Sequence, residues 1–326
     1  MCGIAGRILA LPGLIGADLV ELIQAQRHRG ADSTGFGMYG EPRSDGYMVR
    51  VVADRDDLSD HLETFLDIAR AHGADYIGDP TWDDATTDHV SVRLVLSNPA
   101  SSFERWLADA DFIDGFEIQS VGRSLEIIKD LGDGYEVADK HGIRNFVGTH
   151  GLTNARMATE SFVSPTASHP FWARPYPDVA IVHNGQLTNY YLLRDRLRRA
   201  GYTFKTDNDS ELIAIWLSDQ MANGLTIEQS LTDSVTKLDG CFTYILATID
   251  SMAFAKDPFA IKPLVAVEEV DGTMAVATEE QAVRKIYVDD DDLAGKAMVN
   301  YDGPSLTGVW PVPARTAAIA GAGVGA

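Results

Sequence analysis

The chain has 326 residues, 45% of them hydrophobic, enough for one large or two modest domains with a sizeable core. A formal net charge of -21 argues against a surface that gathers nucleic-acid phosphates or anionic membranes. Two cysteines, Cys2 and Cys241, are too few for a disulfide framework; with no secretory leader pattern and no membrane-length apolar run, a soluble cytoplasmic setting is expected.

In chain order, CGIAGRILALPG reads as a buried strand ending at Pro12 and Gly13. ADLVELIQAQRHRG places Leu19, Leu22 and Ile23 at helical spacing, with Asp18 as the expected cap. Glycine-rich RGADSTGFG returns the chain into a strand. Residues 41–132 read as an inserted α/β segment: strands at GYMVRVVA, HVSVRLVLS, GFEIQSVG and SLEIIKDLG, helices at DLSDHLETFLDIARAHG and SSFERWLADAD. YIGDPTWDDATTD within it is polar and turn-rich, as a surface loop would be.

The main domain, expected over residues 2–310, resumes near Tyr135. VAIVHNG predicts a strand carrying Asn184 and Gly185 at its tip. NYYLLRDRLRRAGYTF predicts an amphipathic helix stopped by Gly201 and then a short strand. DNDSELIAIWLSDQMANG predicts a helix with cap-type residues Asp207 to Ser210 and Gly224 at its end. CFTYILATID and SMAFAKD predict paired strands, and TMAVATEE a further one. The Ala/Gly-rich stretch 311–326 is expected to be a flexible tail.

Chemistry concentrates in six short segments behind an N-terminal MCGIAG: RGADSTGFG, NARMATES, SHPF, VHNGQLTN, FKTDNDSE and AKDPFAIKPL. In this order they resemble the class II glutamine amidotransferases, whose glutaminase domain uses an N-terminal nucleophile. Relatives include glutamate synthase, glucosamine-6-phosphate synthase, amidophosphoribosyltransferase and asparagine synthetase. The nearest resemblance is to standalone amidotransferase subunits of glutamate synthase-like enzymes, such as the first subunit of N-methylglutamate synthase. The resemblance implies an α+β fold, a four-layer αββα sandwich of two antiparallel sheets between helices.

It also implies roles. With Met1 trimmed, the α-amine of Cys2, with a pKa of roughly 7.7–8.0, takes the thiol proton, and the thiolate attacks the γ-carboxamide of glutamine or of another γ-glutamyl amide. Asn184 and the backbone N–H of Gly185 hold the oxyanion. Arg156 and Thr159 grip the α-carboxylate and Asp209 the α-ammonium. Arg29 and Asp32 brace the loop, and His183 and His169 serve as structural support, since no companion ligands stand at a metal-binding spacing. No metal or cofactor is expected in this chain; flavin and iron–sulfur groups are expected only on partner synthase subunits that receive the ammonia or amine. Where many relatives carry a histidine and a threonine before the arginine and an aromatic after it, this chain has Asn154, Ala155 and Met157, with Glu160 after Thr159.

Each residue has a plainer reading. Asn184-Gly185 is a turn dipeptide, Asp209 a helix cap, and Cys241 a small core residue. A hydrolase of other acyl amides with an N-terminal cysteine, and a non-catalytic scaffold subunit, are the alternatives. The co-occurrence of all six segments favours the glutaminase.

Overall fold

A computed structural model describes residues 2–83, 89–157, 164–287 and 298–315. The chain begins with β1 (Gly3–Gly13), α1 (Ile15–Gln24), β2 (Ser33–Tyr39), β3 (Gly46–Asp54), α2 (Leu58–Ala71), β4 (Thr81–Asp83), β5 (His89–Ser97), α3 (Phe103–Ala110) and β6 (Phe116–Gly122). It continues with β7 (Leu125–Leu131), α4 (Gly134–His141), β8 (Gly148–Arg156), β9 (Phe171–Trp172), β10 (Ala180–Leu187), α5 (Tyr190–Arg199), α6 (Asp209–Ala222) and α7 (Ile227–Lys237). The last elements are β11 (Gly240–Ala247), β12 (Ser251–Lys256), β13 (Val265–Glu268), β14 (Met274–Ala277), α8 (Glu280–Ile286), β15 (Met298–Asn300) and β16 (Thr307–Pro311).

Two antiparallel sheets form the inner layers. One has the order β15-β13-β14-β1-β8-β2-β7, the other β16-β12-β11-β10-β9. They meet through β1 and β8 against β10 and β11. The period-two alternation of strand side chains sorts residues between layers. On β1, Ile4 and Ile8 point between the sheets, where they join Leu152, Val182, Ile245 and Phe254. Ala5 points outward, under Leu19 and Leu22 of α1 and Val283 of α8. On the far side α5, α6 and α7 cover the smaller sheet, with Leu212, Trp216, Leu231 and Tyr244 in that outer core. The result is the four-layer αββα sandwich.

The insertion is a four-stranded antiparallel sheet, β4-β5-β3-β6, backed by α2 and α3. Its core residues Val49, Val51, Phe65 and Trp106 are continuous with the core between the two large sheets. Sequence reading placed SLEIIKDLG inside this insertion, but the structure assigns it to the large sheet. As β7 it pairs with β2 along its whole length, from Ser33↔Leu131 to Tyr39↔Leu125. Glu126 on β7 faces back into the insertion and takes Arg50 and Arg93 at 2.8 Å each.

Other expectations change for local reasons. Thr81–Asp83, placed in a surface loop, pairs with β5. The helix α1 starts at Ile15, so Asp18 lies in its first turn and receives Arg7 Nε at 2.8 Å instead of capping. No strand follows α5. The backbone N–H groups of Lys205 and Thr206 donate to the Glu211 carboxylate at 2.7 Å each, which satisfies them without a sheet partner. The segment expected as a flexible tail begins as structure, since Pro311 ends β16 and Val312 is fully buried. Residues 316–326 of that tail lie outside the described residues.

Candidate active site

Register places the nucleophile candidate. Gly3 pairs with Ala155 and Ile4 with Asn154, so Cys2, one step before β1, arrives beside Arg156 at the end of β8. Alternation turns Cys2, Ile4, Asn154 and Arg156 toward the gap between the sheets. Burial pushes the Cys2 thiol up, while a backbone hydrogen bond with Met157, the charge of Arg156 and the Asn154 side chain pull it down. A neutral thiol of this kind needs a base beside it.

Arg156 is 4% exposed, and Ser33 of β2 lies opposite it. Burial draws its guanidinium below the ordinary range, against the opposing influence of Cys2, Asp32 and Asp209. Those three groups therefore share one electrostatic neighbourhood with it. The loop before β2 packs on its backbone: Asp32 N–H donates to Arg156 O at 3.2 Å. A Cβ on Gly30 would lie 2.3 Å from the Arg156 carbonyl carbon, so this approach admits only glycine. Arg29 itself points elsewhere and pairs with Glu279 at 2.5 Å.

From the opposite sheet β10 supplies Asn184 and Gly185. They lie within the strand, paired with Thr243 and Phe242, and not at a turn tip as the dipeptide predicts. Asn184 shares the face of Ala180 and Val182, which line the gap between the sheets. It is 2% exposed, and its Nδ2 has no acceptor among the described residues. A buried amide donor without a partner costs stability, and an acceptor bound there would satisfy it.

Gly185 has φ +152°, and a Cβ there would stand 2.1 Å from Cys241 O. Its neighbour Phe242 directs its own N–H and C=O to Asp257, at 2.8 and 3.0 Å. In an antiparallel ladder this turns the Gly185 N–H to the other edge of β10. That edge is open, because β9 pairs only with Ala180 and Ile181. Two residues on, the Leu187 N–H leaves along the same edge and donates to Asp209 Oδ2 at 3.1 Å.

Asp209 opens α6, but Asn208 is its cap, accepting from Ser210 N at 2.9 Å. Burial alone would raise the Asp209 carboxyl. His183, the Leu187 N–H and His169 outweigh burial and hold it below its ordinary value. His183 Nδ1 lies 3.6 Å from Asp209 Oδ1. Thr159, the sixth site residue named from sequence, lies outside the described residues, as does Glu160.

Sequence reasoning passed over several participants. Asn154, noted there only as a departure, lies against Cys2 and pulls its thiol down, and its amide atoms find no partner beyond that thiol among the described residues. Its spacing two residues before Arg156 on one strand was the available signal. Lys129, buried on β7, donates to Thr166 O and Ser168 O at 3.1 and 3.0 Å and so anchors the loop that carries His169. Burial brings its ammonium down to about 8. A polar crevice beside Lys129, lined also by Gln119 and Glu211, does not include Cys2 or Asn184. Among the described residues no three His, Cys, Asp or Glu side chains cluster as a metal site. No described helix is long and apolar enough to cross a membrane.

Residues 154–285 match the family model of a glutamine amidotransferase domain. A putative glutamine amidotransferase of Methanothermobacter thermautotrophicus is 34% identical, over 88% of this chain and 94% of its own. The glutamine amidotransferase-like protein GlxB of Rhizobium meliloti is 32% identical, over 87% and 91%. The fold resembles glutamine phosphoribosylpyrophosphate amidotransferase from B. subtilis, with TM-score 0.55 and 18% identity, covering 94% of this chain and 47% of that one.

Proposed function

Since the chain belongs to the glutamine amidotransferase family, we propose that it hydrolyses the γ-amide of glutamine through a thioester on Cys2. The observation that carries this reading is the convergence of Cys2, Arg156 and Asp209 in one electrostatic neighbourhood, with the unpartnered Asn184 donor on the facing strand. Removal of Met1 frees the α-amine of Cys2, which takes the proton of the buried thiol. The sulfur attacks the γ-carbonyl carbon. The resulting oxyanion accepts from Asn184 Nδ2 and from the Gly185 N–H on the open edge of β10. Collapse expels ammonia, protonated by the same amine, and water then releases glutamate from the thioester. Arg156, with Thr159, takes the α-carboxylate; Asp209, held ionised, takes the α-ammonium.

The ammonia or amine then passes, in this proposal, to a separate synthase subunit of a glutamate synthase-like complex of the N-methylglutamate synthase type. The Methanothermobacter relative, named a putative glutamine amidotransferase and matched over 94% of its length, supports the amidotransferase part of this reading. Flavin and iron–sulfur chemistry are assigned to the partner, and no cofactor to this chain. Half-exposed Met157, bonded through its backbone to Cys2, is compatible with a substituted amide such as γ-glutamylmethylamide. The test is intact mass of the purified chain before and after 6-diazo-5-oxonorleucine. Loss of Met1 and one adduct on Cys2, blocked by glutamine, is the expected result. Labelling at Cys241, or a retained Met1, refutes the mechanism and favours a scaffold subunit.

A further inference from the structure

Behind the oxyanion strand, one hydroxyl joins two histidines. Ser210, 1% exposed on the first turn of α6, places Oγ 2.6 Å from His169 Nε2 and 2.9 Å from His183 Nδ1. Asp209 Oδ1 is 3.4 Å from the same oxygen. The two rings sit edge to face with centroids 6.4 Å apart, and both are buried. Their remaining nitrogens, His169 Nδ1 and His183 Nε2, have no hydrogen-bond partner among the described residues.

A serine hydroxyl has one hydrogen to give and lone pairs to receive. Both rings can donate to its lone pairs, or one can donate while the other takes its hydrogen, for which Asp209 Oδ1 at 3.4 Å also competes. The choice is electrostatic. His183 Nδ1 lies 3.6 Å from an ionised carboxylate, where a hydrogen is attracted and a lone pair repelled. His183 therefore carries its hydrogen on Nδ1 and donates to Ser210 Oγ, which leaves the single Ser210 hydrogen for His169 Nε2 at 2.6 Å or Asp209 Oδ1 at 3.4 Å. The network links Asp209, His183, Ser210 and His169.

We propose that Ser210 is a positioning residue for the reaction: its hydroxyl takes the Nδ1 hydrogen of His183 and fixes the tilt of that ring, and through His183 the aim of Asp209. This rests on the reading of Asp209 as the partner of the substrate ammonium. His183 also immediately precedes Asn184 on β10, so one hydroxyl braces the strand that bears the oxyanion donor from its opposite face. Without that hydroxyl the Nδ1 hydrogen of His183 has no acceptor but the carboxylate itself. The ring then turns onto Asp209 and draws that carboxylate away from the substrate ammonium.

The test uses the full chain as wild type, Ser210→Ala and Ser210→Thr, with ¹⁵N-labelled histidine. Side-chain nitrogen spectra should show His183 protonated at Nδ1 in all three proteins, with the Nδ1 resonance kept in Ser210→Thr and displaced in Ser210→Ala as its hydrogen passes from the hydroxyl to the carboxylate. In glutaminase assays Ser210→Ala should raise KM for glutamine about tenfold, with kcat changed less, and Ser210→Thr should restore it. An Nε2–H His183 in the wild type, or an unchanged KM in Ser210→Ala alongside a lowered melting temperature, overturns the proposal. If the wild type shows no Cys2-dependent glutaminase activity, the functional reading has failed, and the nitrogen spectra alone decide the network.

Discussion

At the scale of single residues, the site sets donors that lack partners against a thiol that is reluctant to ionise. Asn184→Ala removes the unpartnered Nδ2, and kcat for glutamine hydrolysis should fall about 10²–10³-fold with KM changed little. An unchanged kcat would remove Asn184 from the oxyanion site. Gly185→Ala should fail differently, because its Cβ meets the Cys241 carbonyl at a backbone angle that alanine resists. Urea denaturation should show a loss of about 1–3 kcal/mol or more. The Asp209 carboxyl, depressed in the folded chain, contributes stability that is present above its ordinary pKa and lost as pH falls through the lower folded value. The difference between wild type and Asp209→Asn in urea midpoints should thus be constant above pH 5 and shrink below about pH 4. Most of these residues were legible in the sequence because their types are chemically unusual together. Asn154 and Ser210 were not, because an amide or a hydroxyl is ordinary in sequence and gains its role only from the strand or helix that faces it.

At the scale of elements, period-two and period-3.6 patterns were enough to find β1, β5, β10, α5 and α6. They could not say which sheet a strand joins. β7 was read as part of the insertion because it follows β6 after a two-residue turn, yet its backbone pairs with β2, nearly ninety residues earlier. Neither could pattern show that Glu211 would satisfy the backbone after α5, which reads as strand from Tyr202 and Phe204 alone. Glu126 ties the two units together. It is 3% exposed, and Arg50 and Arg93 together outweigh its burial and hold it below its ordinary value. Glu126→Ala leaves Arg50 and the part-exposed Arg93 without their carboxylate, and should cost about 1–3 kcal/mol in chemical denaturation. Hydrogen exchange should show the loss first in β3 and β5. A variant as stable as wild type would mean that water already reaches this junction.

At the scale of the molecule, two buried histidines set the response to acid. His150 hydrogen-bonds Thr149 and the Thr248 carbonyl and stacks on Tyr39, and burial takes it down to about 3. Burial takes His169 well below its ordinary value too. Both bind protons more readily unfolded than folded, so stability is full above about pH 6.5 and is lost as pH falls toward the folded values. Unfolding free energies from urea titrations should drop by about 2–3 kcal/mol between pH 6 and pH 5 for the pair. A flat profile there would refute their neutrality. The sandwich also orders events in time. β1 lies between β8 and β14, so its partners are residues 148–156 and 274–277. At a ribosomal pace of roughly 5–20 residues per second, the second edge of β1 stays open for roughly 15–55 seconds after synthesis begins. Any peptidase that exposes the Cys2 amine has that interval before the strand is walled in from both sides. On the proposed mechanism, a chain that folds with the amine still capped lacks the base for its thiol, so the order of trimming and folding would set how much of the protein is active.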